Sequence, residues 1–396
     1  MNRSIAEFIS AQEEELTRIM NFWTESAIDS KNGGFLGAID GYGKVQENAT
    51  KGAVLNARIL WTFSAVYNYT GNKKYLQMAE RAYKYFTNYF IDKKNGGVFW
   101  ELSADGKPVN TRKQCYAQGF AIYGLSEYYR ASGNEKSLLL AQELFWTIEK
   151  YFLDKENGGY IEALGEDWSE LSDMRLSLKD ANEPKSMNTH LHILEPYTNL
   201  YRCWKNPILE QSIRKLIHVF LNKIIERPAA HFNLFFDYNW KVKSTAVSFG
   251  HDIEGSWLLA EAAEVLDDKL LVDEVNIMVL RMVDATMKEG SDDDGSLFNE
   301  RDGEHWDTDK HWWPQAEAVI GYVNAWQITE EQKYLDEAEK VWNFIDLTLL
   351  DRSNGEWFWR VDKNGEPYIE EEKAGFWKCP YHNSRAIIEV CSRLKE

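Results

Sequence analysis

The 396-residue chain is 44% hydrophobic and carries 63 acidic against 45 basic residues, for a net charge of -18. That length and apolar content suffice for a large core, while the acidity argues against nucleic acid or an anionic membrane as partner, because polyanion binding needs clustered Lys and Arg. No run of about 18 apolar residues is available to span a bilayer, the first residues lack an apolar leader core, and Cys115, Cys203, Cys379 and Cys391 form no C-x-x-C pair, so a soluble, cytoplasmic protein with reduced thiols is expected.

In chain order, a first amphipathic segment begins near Ile5 and ends before the turn-rich stretch KNGGFLGAIDGYGK at Lys31. Helical segments from Lys51 and Lys74 lead to KNGGVFWELSADGKP at Lys94, and segments from Arg112 and Glu135 lead to ENGGYIEALGEDW at Glu156. The pattern continues with helices from Met187 and Pro207 before FNLFFDYNWKV at Phe232, and from His251 and Asp268 before DDDGSLFNERDGE at Asp292. Helices from His311 and Thr329 precede SNGEWFWRVDKNGEP at Ser353, and a last helix begins at Tyr381. Each turn-rich stretch joins a short aromatic or β-branched run to a turn of the N-G or D-G type, which predicts a hairpin. The helical segments place apolar residues at i, i+3, i+4 and i+7. The repeat is roughly 60 residues long, and one interval is lengthened around EDWSELSDMRLSLKDANEPK.

Twelve helices and six hairpins predict an all-α fold, an (α/α)6 barrel with short β-hairpins at one end, forming a single domain over residues 1–396. Six helical hairpins that close into a ring bury every apolar face without a capping repeat, which an open solenoid requires. The odd helices are rich in Glu and Lys and should form the outer ring. The even helices are more apolar and should form the inner one. Every hairpin precedes an even helix, so the mouth of the barrel lies at the inner N-termini, where helix dipoles favour a developing anion.

Three of the eight histidines start inner helices: His192 in MNTHLHILE, His251 in SFGHDIEGSW and His382 in KCPYHNSRAIIE. A lone histidine at a helix start is usually a cap, but three from separate repeats at one rim form a set. Arg58, Tyr116, Glu254, Trp312, Trp313 and Glu317 join them from equivalent positions. His190 lies about 200° around its helix from His192, so His192 is expected to face the pocket and His190 the barrel wall, bonded to neighbouring helices. H-E-x-x-H, G-x-G-x-x-G, Walker A and G-x-S-x-G patterns are all missing from the chain, so neither a metal nor a cofactor is expected. The 16 Trp, 20 Tyr and 19 Phe supply flat faces suited to sugars. Two histidines titrating near neutrality could exchange acid and base roles beside a carbonyl, with Arg58 stabilising the enediolate of a ring-opened sugar.

MNTHLHILEPYTNLYR, SFGHDIEGSWLLAEAAE, WWPQAEAV and KCPYHNSRA closely resemble the cellobiose 2-epimerases, within the wider N-acylglucosamine 2-epimerase superfamily. The resemblance covers essentially the whole chain. It implies an (α/α)6 barrel that reversibly epimerises C2 of the reducing-end glucose in β-1,4-linked disaccharides without metal or nucleotide. It further implies His251 and His382 as the acid/base pair, His192 as an assistant in ring opening or in holding a hydroxyl, and Arg58 on the C1 and C2 oxygens. Glu254 is implied as a partner of the acid/base site, and Tyr116, Asp180, Asn188, Trp313 and Trp377 as sugar contacts. Pro196 departs from the pattern, and a kink there would shift His192. The expected partner is a small disaccharide, and the expected state a monomer or weak homodimer. Alternatives are a monosaccharide 2-epimerase or mannose isomerase of the same superfamily, an (α/α)6 glycoside hydrolase using Glu254 and Glu317, and a non-catalytic sugar-binding protein.

Overall fold

Polar caps and apolar-periodic runs divide residues 4–395, the part described by this computed structural model, into twelve α-helices. Residues 1–3 and 396 of the expected 1–396 domain lie outside the described residues. In chain order the helices are α1 (Ile5–Glu25), α2 (Ala53–Thr70), α3 (Lys73–Tyr89), α4 (Cys115–Ser132), α5 (Glu135–Tyr151), α6 (Met187–Cys203), α7 (Pro207–Val219), α8 (Phe249–Val265), α9 (Lys269–Glu289), α10 (Trp312–Thr329), α11 (Gln332–Phe344) and α12 (Tyr381–Arg393). Thr329, expected to open the eleventh helix, instead closes α10, because Glu330 turns left-handed at φ 58 and its N–H caps the Trp326 carbonyl. His251 is the third residue of α8 rather than its first.

Outer and inner helices begin differently. Ser4, Asn72, Asn134, Asn206 and Asp268 cap α1, α3, α5, α7 and α9 with side-chain oxygens. Of the even helices only α6 has such a cap, from Ser186. The even helices pack in order from α2 to α12, and α12 returns to α2, closing the inner ring. The outer helices α3, α5, α7 and α9 each lie against the inner pair beside them, α1 lies against α12 and α11 against α10, and one continuous apolar cluster fills the space between the rings. This is the expected (α/α)6 barrel, and no helix among the described residues is long and apolar enough to cross a membrane.

The hairpins at the rim do more than turn the chain. Local bridges such as Ile91 to Val98 and Leu153 to Tyr160 form as expected, but further pairing runs between repeats. Lys51 pairs with Leu102, Lys113 with Leu164, Lys185 with Phe236, and Lys310 with Val361. The seam between last and first repeats uses the same bond, Ala374 to Ile39. Each of these lysines reaches back with its side chain to the aspartate that opens its own repeat's turn. Lys51 meets Asp29, Lys113 meets Asp92 and Lys185 meets Asp154, all at 2.7 Å; Lys310 meets Asp292 at 2.8 Å and Lys373 meets Asp351 at 2.9 Å. All five lysine side chains are buried. The fourth repeat has His231 on Asp252 at 2.7 Å instead. Removing one partner of such a buried pair leaves an uncompensated charge. Lys113→Met is therefore expected to lower the unfolding free energy by about 3–5 kcal/mol, measured by urea denaturation, with much of the loss recovered when Asp92 is also made apolar.

Candidate active site

A cavity of about 510 Å³ opens at the inner N-termini, and all ten residues expected at the site line it: Arg58, Tyr116, Asp180, Asn188, His192, His251, Glu254, Trp313, Trp377 and His382. Its wall also includes Trp312, expected at the mouth, and His311, Trp359 and residues 176–179 of the long insertion, which were not expected. A more polar cavity of about 590 Å³ adjoins it and shares Asp180, Asn188, His251 and His311. Only four of the sixteen tryptophans reach the first cavity. Others are structural. Trp168 and Trp240 hold left-handed backbone, φ 70 and φ 67, and each donates its indole N–H to a carbonyl in the preceding repeat's turn, Asn95 or Asn157, at 2.9 Å.

The local shape of α6 explains its two histidines. Pro196 has no N–H for the His192 carbonyl, and the helix kinks at His192, at φ -88 and ψ 15. The freed carbonyl packs on Gly119 of α4, where a Cβ would lie only 2.3 Å from its oxygen. His190 is wholly buried and bonds backbone groups rather than neighbouring helices, a correction to the expectation. It accepts the Tyr160 N–H at Nε2, 2.9 Å, and therefore donates from Nδ1 to the Ser186 carbonyl, 2.6 Å.

Of the four histidines that line the cavity, His192, His251 and His382 have different partners at Nδ1. His192 meets Glu195 at 3.0 Å, His251 meets the Ser248 hydroxyl at 2.7 Å, and His382 meets Glu317 at 2.7 Å. The Trp313 ring lies 4.7 Å from the His251 ring and 5.7 Å from that of His382. Arg58 donates to the Tyr116 hydroxyl at 2.9 Å and lies flat on Phe120 and Tyr381. Below them, Arg385 binds Glu195, Glu254 and Glu317. Neither Arg385 nor Glu195 was expected from the sequence, although the spacing was available: His192, His251 and His382 each have a charged residue three positions later on the same face, Glu195, Glu254 or Arg385.

Burial sets the protonation of these groups. It pushes His251 down to about 3, helped by His192 and Arg58, and pushes His382 well below the usual imidazole value, helped by Arg58 and Arg385. Both imidazoles are thus neutral at pH 7 rather than partly titrated, which corrects the expectation from their type alone. Burial and then Glu317 raise Glu254 to about 7. For Glu195 burial acts upward, but Arg385 and the His192 bond outweigh it and hold the carboxyl at about 2. Glu254, Glu317 and His382 bring three possible metal donors within 4.8 Å of one another. Yet one Arg385 nitrogen donates to both Glu254 Oε1 and Glu317 Oε1 at 2.6 Å, so a protein cation already neutralises that set. Several buried polar atoms of cavity residues lack any partner: Arg58 Nε, Asn188 Oδ1, Glu254 Oε2, His311 Nε2 and Trp312 Nε1. Unpaired buried groups are costly, and a ligand rich in hydroxyls satisfies them.

Residues 33–386 match the family described as N-acylglucosamine 2-epimerase (GlcNAc 2-epimerase). The chain belongs to the N-acylglucosamine 2-epimerase family. It is 49% identical over 381 residues to the cellobiose 2-epimerase of Bacteroides fragilis, covering 96% of this chain and 97% of that one. The cellobiose 2-epimerase of Dictyoglomus turgidum is 38% identical, covering 95% and 96%. The solved cellobiose 2-epimerase of Bacillus thermoamylovorans B4167 superposes with a TM-score of 0.95 at 37% identity, covering 98% of this chain and all of that one. This member of the N-acylglucosamine 2-epimerase family is accordingly an isomerase, a carbohydrate epimerase.

The neutral histidines link stability to acid. Burial holds His190 and His311 at about 4 and His251 at about 3, whereas an unfolded imidazole titrates near 6.5. Below that value the unfolded chain binds more protons, so stability present above about pH 6.5 is lost as pH falls towards 4. The melting temperature is expected to fall over this window, and His190→Asn, if folded, is expected to flatten the slope.

Proposed function

We propose that the enzyme, acting as a single catalytic domain, reversibly epimerises C2 of the reducing-end glucose in β-1,4-linked disaccharides, without a metal. Cellobiose would give 4-O-β-D-glucosyl-D-mannose, and lactose would give epilactose. The observation that carries this function is the pair of buried neutral imidazoles, His251 and His382, both beside the Trp313 ring, with the charge of Arg58 acting on both. A neutral imidazole is a competent base as it stands.

Once the sugar ring has opened, one imidazole takes the proton from C2 and the electron pair moves into the C1–C2 bond, leaving an enediolate. Arg58 stays charged, since burial is outweighed by nearby Tyr116, and so offsets the new negative charge on the C1 and C2 oxygens. A proton delivered to the opposite face of C2 inverts that centre. Glu254 is suited to hold the exchangeable proton, because it titrates near neutrality and its Oε2 faces His192 Nε2 at 3.9 Å. His192 assists ring opening or holds a hydroxyl. Tyr116, Asp180, Asn188, Trp313 and Trp377 contact the sugars, and the adjoining polar cavity gives a second pyranose room that a monosaccharide would not need. Hydrolysis is disfavoured because Glu317, the second acid it would require, is enclosed by Trp257, His382 and Arg385 instead of lining the cavity.

Proton NMR of cellobiose with EDTA-treated enzyme in D2O is the direct test. A glucosyl-mannose signal with deuterium at C2 is expected; free glucose without C2 exchange would refute the proposal, and activity restored only by added metal would refute its metal-free form. His251→Ala and His382→Ala are each expected to lower turnover by about 10³-fold or more with little change in melting temperature. Near-normal activity in either variant would remove that histidine from the reaction.

A further inference from the structure

Arg385 lies on α12, one turn after His382, and is wholly buried beneath the cavity. Its guanidinium gathers three carboxylates from three other inner helices: Glu195 of α6, Glu254 of α8 and Glu317 of α10. Each of these is connected onward. Glu195 holds Nδ1 of His192, Glu317 holds Nδ1 of His382, and Glu254 has its second oxygen unpartnered towards His192. Tyr381 completes the cluster by bonding both Arg385 and Glu195, and its ring is flanked by the guanidinium groups of Arg58 and Arg385. Trp257 covers another face of Arg385 and donates its indole N–H to Glu317. Three buried carboxylates cannot share so small a volume without a cation. The planar fork of arginine fixes their directions as well as their charge, which a lysine ammonium does not.

We propose that Arg385 is the positioning residue of the acid/base site, setting the orientation of His192, Glu254 and His382 through the three carboxylates it binds. The inference rests on the acid/base function proposed above. With its Nδ1–H directed at Glu317, neutral His382 presents its Nε2 lone pair as the base. The same bonds place Glu195 behind His192 and turn Glu254 so that its free oxygen faces the imidazole. An ion cluster serving stability alone would not need each carboxylate to continue to a cavity group.

Arg385→Lys and Arg385→Met test this, with kcat and KM measured across the pH range of activity and folding checked by circular dichroism and thermal melting. The groups facing Arg385 are Glu195, Glu254 and Glu317, Tyr381 and His382 on its own helix, Tyr123 of α4, Glu389 one turn further on, and Arg58 across the Tyr381 ring. Arg385→Lys is expected to lower kcat by about 10²-fold, the usual cost of a misplacement near 1 Å, with KM changed by no more than about threefold. Arg385→Met should lose roughly tenfold more. In Arg385→Met, which removes the positive charge, Glu254, Glu317 and His382 all bind protons more readily, so the acid limb of kcat/KM should move to higher pH. A folded Arg385→Lys with wild-type kcat, or a folded Arg385→Met with an unmoved acid limb, overturns the proposal. If both variants fail to fold, the decision passes to Tyr381→Phe, which keeps the ring but frees Arg385 and Glu195 from the hydroxyl. A loss in kcat of about tenfold at a near-native melting temperature supports the proposal, and unchanged kcat overturns it. Deuterium exchange at C2 by the wild-type enzyme separates the cases, since its absence would refute the acid/base function itself, whereas exchange with an unaffected Arg385→Lys refutes only the positioning role.

Discussion

A buried lysine that bonds in two directions is the interaction on which the rest of the molecule depends. Its backbone pairs forward with the next repeat, and its ammonium reaches back to the aspartate at the head of its own turn. Lys51, Lys113, Lys185 and Lys310 sit just before α2, α4, α6 and α10, so they fix where those helices start. Since Arg58, Tyr116, His192 and Trp313 occur within the first two turns of helices that start this way, the relative placement of these cavity groups follows from the joints. Buried ion pairs contribute little net stability but strongly penalise the loss of one partner. Their use here is better understood as fixing register than as adding stability.

Below the rim, the site solves a problem of charge. Five inner helices bring two arginines, three carboxylates and three imidazoles into a space from which water is largely excluded. Burial acts against every one of these charges. His251 and His382 respond by remaining neutral, Glu195 stays ionised on Arg385, and Glu254 settles near neutrality. Groups of similar intrinsic acidity are thus driven apart by their surroundings, which is how one pocket can hold a base and a proton donor together. Arg58 stands apart from the carboxylate cluster, with its Nε unpartnered and its guanidinium over the rings of Phe120 and Tyr381.

Much of this was legible in the sequence because the repeat is strong. The spacing of N-G and D-G turns and the contrast between acidic and apolar helices set the ring of twelve, and the position of each histidine after a turn placed it at the mouth. The aspartate and lysine of the joints were overlooked because they flank the turns rather than form them, and because the pair is separated by 18 residues in one repeat and 31 in another. Arg385 escaped notice because an arginine one turn into an amphipathic helix reads as a surface residue until its three acidic neighbours, far apart in the chain, are seen to surround it. The protonation of His251 and His382 could not be inferred from residue type, since it depends on how completely the barrel encloses them. The tryptophan count misled in part, because rings such as Trp168 and Trp240 lock one repeat to the previous one.

The seam between Ala374 and Ile39 has a consequence for how the molecule comes apart. An open stack of repeats has outermost units that peel away one at a time, each held on a single side. Here the last repeat is joined to the first as every other pair is joined. No unit is terminal, and none can detach without two joints failing together. Such a ring has no natural place for partial melting to begin, so it should persist as a whole and then yield as a whole, with rupture of the first seam as the slow event.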